Sequence, residues 1–157
     1  MYINKEQKEK IKDLIKKVED NSSVELLAVV SQRIESYSLI NSFMSMINKK
    51  YKQKRADKYI NNYFKKIQKE NKDIEDIVLF FVCVEEKYVK IITSQNITNK
   101  IKNEYWQNII NNFIIKVKEN NIDEGFIQAI NSSKNILIEE FPYRSSKNEL
   151  SNEVIEL

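Results

Sequence analysis

Residues 77–94 read IVLFFVCVEEKYVKIITS. The first eight, 77–84, are apolar without interruption, well short of the ~20 residues that cross a bilayer. Val and Phe dominate them, and these side chains fit pleated, packed surfaces. A strand with one wet face would alternate, so an unbroken run of this length predicts a strand covered on both faces. Glu85, Glu86 and Lys87 make a polar break of hairpin length, and residues 88–94 read as a second, less uniformly apolar strand. The pair predicts the central hairpin of a sheet with helices on both sides. That is an α/β fold, a three-layer α/β/α sandwich around a small mixed sheet.

Toward the N-terminus, residues 24–31 (VELLAVVS) read as another strand, with Glu25 at its entry. Before it, Asn4 and Gln7 have the spacing of a capping box. Ile11, Leu14, Ile15 and Val18 follow on one helical stripe, which predicts a helix over 5–20. Residues 34–68 read as a long helical region. Its second half carries Ala56, Tyr59, Ile60, Tyr63, Phe64 and Ile67 along one side; its first half carries Ile40, Phe43, Met44 and Ile47 less clearly, and the sequence leaves room for a break near 49–55. Two strands joined through a helix pair in parallel by a right-handed crossover, so the first two strands run parallel and the third returns antiparallel. Ser94, at the end of the third, therefore belongs at the same edge of the sheet as Glu25, at the start of the first. Asn96 is expected in the adjoining loop.

Toward the C-terminus, Asn103 is positioned to cap a helix with Trp106, Ile109, Ile110, Phe113, Ile114 and Val117 inward. Asp123 is positioned to cap the next, with Phe126, Ile127, Ile130, Leu137 and Ile138 inward. Gly125, Ala129 and Ser133 stand four apart on that helix. Glycine inside a helix costs about 0.5–1 kcal/mol against alanine, so the only glycine of the chain implies a close approach there. Pro142 stops the helix. The expected organisation is one domain over 1–142 and a polar tail over 143–157 with a short apolar end, Val154, Ile155 and Leu157.

The composition excludes several chemistries. The 157 residues are 41% hydrophobic and 31% charged, a globular balance. With no His, Ser-His-Asp and Cys-His catalysis and HExxH zinc sites are ruled out. With one Gly there is no phosphate-binding P-loop and no GxGxxG dinucleotide loop. Net charge is +3, with 23 Lys to 3 Arg. Base readout relies on Arg, so no nucleic-acid partner is expected. The absence of an apolar signal core or a transmembrane-length run predicts a cytoplasmic protein. Cys83, the single cysteine, lies inside the apolar run and reads as a buried thiol.

Three features carry candidate function. The basic run Lys49, Lys50, Lys52, Lys54 and Arg55 is a candidate contact for an anionic surface, including a peripheral membrane contact; a solvated helix face is the plainer alternative. Trp106 is a candidate pocket lining, but it opens a clean apolar stripe, which favours core or helix packing. Glu25 is a carboxylate beside a buried strand, where it needs a partner. With Ser94 and Asn96 it forms a candidate ligand-binding edge.

The motifs, in order, resemble the TPM domain family, which includes the YgcG-like bacterial proteins. Residues 19–26, EDNSSVEL, look like the family's E-x-x-T-S-G-E-I opening. Arg55-Ala56 with Phe64 looks like its R-A…F helix, and residues 77–89 look like its hairpin. Ser94-Gln95-Asn96-Ile97 stands where the family has Asp-x-Gly-Ile. Trp106, Gly125, Ala129-Ile130 and Phe141-Pro142 match its W…G…AI…FP close, and Asn148-Glu149-Leu150 resembles an N-E-L element.

The resemblance implies the α/β/α sandwich. It also implies roles that vary across the family: weak acid phosphatase activity, divalent-metal binding, and assembly or repair of membrane complexes. Here the family's Asp is Ser94 and its Gly is Asn96, so of its acidic edge only Glu25 remains by this comparison. The expectation is a non-catalytic binding or assembly module with a protein partner and no catalytic residue. No bound metal or cofactor is expected; weak calcium or magnesium binding is the most that edge would support. The alternative is a weak, divalent-metal-assisted, phosphatase-like activity at the Glu25/Ser94 edge.

Overall fold

The structure, a computed structural model, describes residues 3–33, 49–144 and 150–157, with side chains from residue 52 in the second of these segments. The first half of the long helical region, the side chains of Lys49 and Lys50, and Asn148-Glu149 lie outside the described residues.

Helix α1 spans Lys5–Asp20 and opens on the expected capping box. The Gln7 amide donates to Asn4 Oδ1 at 2.9 Å, and the Asn4 amide donates to Gln7 Oε1 at 2.7 Å. Strand β1 is Glu25–Ser31 and helix α2 is Lys49–Glu70. Strands β2, Ile77–Cys83, and β3, Tyr88–Thr93, follow. Then come helices α3 (Gln95–Lys100), α4 (Asn103–Lys118) and α5 (Ile122–Glu140), and strand β4, Ile155–Glu156. The sheet order is β3-β2-β1-β4. β1 and β2 pair in parallel, Glu25 opposite Ile77, while β2 and β3 pair antiparallel, Val78 opposite Thr93.

Every residue of β2 is buried, and the side chains divide by parity. Val78, Phe80 and Val82 join Leu26, Ala28 and Val30 of β1 in a core under α1, α4 and α5. Leu79, Phe81 and Cys83 join Leu27 and Val29 in a second core under Ala56, Ile60 and Phe64 of α2. Successive strand side chains point to opposite faces, so a strand with no polar side chain needs two apolar layers. That requirement makes the sandwich. Each large apolar side chain fully buried contributes about 1.5–3 kcal/mol.

Helix α2 is also held by a polar clamp. The Tyr88 hydroxyl donates to Asp57 Oδ1 at 2.6 Å, Asn61 Nδ2 donates to Asp57 Oδ2 at 3.1 Å, and Lys90 pairs with the same carboxylate. Burial pushes the Asp57 carboxyl up, but the bonds from Lys90 and Tyr88, with the lysine charge, outweigh it and hold the group below its ordinary range. Burial, and then the Asp57 carboxylate, push the Tyr88 hydroxyl far up.

Several local expectations are corrected. Tyr59 of the α2 stripe is 37% exposed. The N-caps of α4 and α5 are Lys102 and Asn121, not Asn103 and Asp123, and neither makes a side-chain cap bond. Asn120, at φ 63°, turns the chain sharply after α4, so α5 begins before Asp123. Asp123 and Glu124 then occupy its first turn, where carboxylates oppose the helix dipole favourably. The apolar end of the C-terminal segment supplies β4, which lies parallel to β1 with Val29 opposite Ile155. Val154 is buried, and Lys8 pairs with Glu156 at 2.9 Å.

Gly125 bears out the packing argument. A Cβ there would stand 2.8 Å from the buried Phe113 ring of α4. Gly125→Ala should therefore destabilise the protein by about 1 kcal/mol, the overpacking outweighing the gain in helix propensity. Urea unfolding measures this. Phe113→Leu in the same chain should remove most of the penalty, and additive losses would contradict the close approach.

Candidate functional site

The polar groups at the N-terminal end of β1 and β2 are set by the motif 19–26. Glu19, buried at the end of α1, accepts from the Leu26 amide at 3.0 Å through Oε1. The Ser22 hydroxyl donates to the Val18 carbonyl at 2.7 Å, and the Val24 amide donates to Ser22 Oγ at 3.3 Å. These bonds splice the helix to the strand, so the family-like opening has a structural function.

Three strand ends meet beyond the splice. The Glu25 amide donates to the Asp76 carbonyl at 2.8 Å. Ser94 and Ile77 exchange two bonds: the Ser94 amide to the Ile77 carbonyl at 2.9 Å, and the Ile77 amide to Ser94 Oγ at 3.0 Å. Asp76 is the node. Its Oδ2 accepts from the Ser23 hydroxyl at 2.6 Å, and its Oδ1 accepts from Asn96 Nδ2 at 3.3 Å. The same Asn96 nitrogen donates to Glu75 Oε2 at 3.4 Å. Asp76 is buried, and so is Ser94.

The topology thus brings Glu25 and Ser94 to one end of the sheet, on either side of Ile77. Asn96 lies in the first turn of α3 rather than in a loop. Burial of Ile97 and Ile101 draws that segment onto the core as a short helix. Ser94 and Asn96, with Gln68, Lys72, Ile74 and Glu75, line an open pocket of about 370 Å³. Glu25 is not part of that lining; its Oε2 accepts from the Leu150 amide at 3.1 Å. Of the basic run, Lys52 and Arg55 are half-buried on α2 and Lys54 is exposed. Trp106 is core, edge-on to Phe80 with ring centroids 6.5 Å apart.

Sequence reasoning missed Asp76 and Glu75. The signal was an acid directly before an all-buried strand, one position earlier than Glu25, which opens β1 opposite Ile77.

Calcium takes about six to eight oxygen ligands and magnesium about six. Asn96 turns its nitrogen to both carboxylates, the Ser94 oxygen receives the Ile77 amide, and Glu25 is committed to Leu150. Among the described residues no three Asp, Glu, Cys or His side chains are grouped to hold a metal. The donors as arranged do not fit a divalent cation.

The layers and the polar strand-end pocket define a three-layer α/β domain built around a mixed four-stranded sheet. The chain belongs to the TPM domain family, whose pattern matches residues 1–136. Its fold is similar to that in the NMR structure of the BA42 protein from the psychrophilic bacterium Bizionia argentinensis. The TM-score is 0.73 at 20% identity, over 99% of this chain and 96% of that one; at that identity the likeness concerns the fold. Among curated proteins nothing matches the chain. No helix among the described residues is long and apolar enough to cross a membrane.

Ser94→Ala should leave the buried Ile77 amide without its acceptor and cost about 1–3 kcal/mol. Chemical unfolding checks this; a loss below about 0.5 kcal/mol, the level of an ordinary surface change, would mean the bond does not hold the strand end.

Proposed function

We propose that the chain is a non-catalytic TPM domain that works as a binding or assembly module, with the strand-end pocket as the element that meets its protein partner. The observation that carries this is that the strand-end oxygens are engaged with the protein itself: Ser94 Oγ receives the Ile77 amide, Asp76 receives the Ser23 hydroxyl and Glu25 receives the Leu150 amide. Gln68, Lys72, Glu75 and Asn96 give the open pocket donors and acceptors of both signs. Such a lining suits a polar segment of a protein, whose backbone offers both kinds of group. Action within a protein or membrane-associated complex is part of the same reading.

One observation favours a second reading, a weak divalent-metal-assisted acid phosphatase. Asp76 Oδ1 and Glu75 Oε2 stand 3.3 and 3.4 Å from one nitrogen, so two carboxylates converge on a small region of the pocket edge.

Calcium or magnesium at millimolar concentration should shift the melting temperature of the unmodified protein by less than about 1 °C. Ser94→Asp should enlarge the calcium response, because it adds a carboxylate beside Asp76 and Glu75. A phosphate monoester assayed with either metal should show no turnover above background. Metal-dependent turnover abolished by Asp76→Asn would replace the module with the phosphatase.

A further inference from the structure

Residues 49–72 hold ten lysines and arginines against two carboxylates. That is a net +8 in a chain whose total is +3, so the remainder carries −5. The two carboxylates are turned to other tasks: Asp57 binds Lys90 and Tyr88, and Glu70 lies 4.0 Å from Lys66.

Ala56, Ile60 and Phe64 bury the inner side of α2. At about 100° per residue, Lys54, Lys58, Lys65 and Lys69 fall within an arc of about 60° on the opposite side. All four are exposed, and none makes an ion pair among the described residues. They form a row about 22 Å long. The consecutive run at 49–55 is not this row, because helical geometry spreads neighbours around the axis. Lys52 and Arg55 are half-buried.

We propose that this lysine crest docks the domain on an anionic lipid surface. The crest has ammonium groups on flexible stems, which suit mobile headgroups without fixed geometry. It has no arginine fork for phosphates or base edges and no series of aromatic platforms for a single strand. The exposed aromatic beside it, Tyr59 at 37%, is of the type that sits at headgroup level. The net −5 of the remaining chain is repelled by the same surface, so the charge asymmetry sets orientation as well as affinity. This goes beyond the pocket reading, since no crest lysine lines the pocket and either can fail alone.

The test is sedimentation of the full chain with vesicles of phosphatidylcholine, with and without phosphatidylserine. Binding should require phosphatidylserine and weaken as salt rises to about 0.15 M. Changing Lys54, Lys58, Lys65 and Lys69 together to Gln should reduce it by roughly a hundredfold or more, and Lys58→Gln alone by about fivefold. Gln keeps the helix propensity of Lys, and circular dichroism confirms folding; the single variant carries the test if the fourfold one unfolds. Changing Lys5, Lys17, Lys102 and Lys118 to Gln removes the same charge elsewhere and should retain most of the binding. Asn96→Ala, in the pocket, should leave it unchanged. The proposal is overturned by no binding to phosphatidylserine vesicles at low salt, by equal loss in both fourfold variants, or by tighter binding to duplex DNA.

Discussion

Burial of β2 on both faces is the constraint from which the rest of the architecture follows. Its seven residues, IVLFFVC, offer no charged or amide side chain to solvent. Its backbone groups must all be paired within the protein, which requires a strand on each edge, and β1 and β3 supply them. Its two faces require two apolar layers, one from α1, α4 and α5 and one from α2. Polar chemistry is thereby pushed out of the middle of the sheet to its ends and to the outer faces of the helices.

At one end three segments converge because β1 and β2 start there and β3 finishes there. Asp76 joins them, receiving Ser23 from the approach to β1 and Asn96 from the turn after β3. Glu19 performs a similar task one layer away by holding the Leu26 amide. These groups are the ones that a catalytic interpretation would enlist. Leaving a buried amide unpaired costs about 1–3 kcal/mol, so a side chain that satisfies one is constrained by that role. What remains for recognition is the rim: Glu75, Asn96, Lys72 and Gln68 around the pocket. Among the described residues the layer opposite the larger core is a single helix, α2. Lys54, Lys58, Lys65 and Lys69 are exposed on its outer side, and there the sequence concentrates positive charge.

The fold was legible wherever burial imposed a period. The run at 77–84 announced a strand covered on both faces, the stripes of α1, α4 and α5 announced their inner sides, and the crossover rule gave the parallel pair. What escaped had no period to show. Helix α3 is six residues long and is defined by two buried isoleucines, Ile97 and Ile101. β4 is two residues long, and only its docking against β1 makes it a strand. In the candidate site, Ser94 and Asn96 could be placed because topology fixes where β3 ends. Asp76 could not, because its importance lies in contacts to residues 53 and 20 positions away in the chain, and no local pattern encodes them.

The central claim is that the polar strand end is a set of structural cross-links. Native-state hydrogen exchange at the Ile77 amide tests it most directly. Ile77 begins β2, a position where amides ordinarily fray and exchange through local opening. Held by Ser94 Oγ, its amide should exchange as slowly as those of Leu79 and Phe80 in the strand centre, opening only with the whole domain. Exchange faster by orders of magnitude, at a rate like that of an exposed amide with no hydrogen-bond acceptor, would show that this end opens independently and would contradict the account.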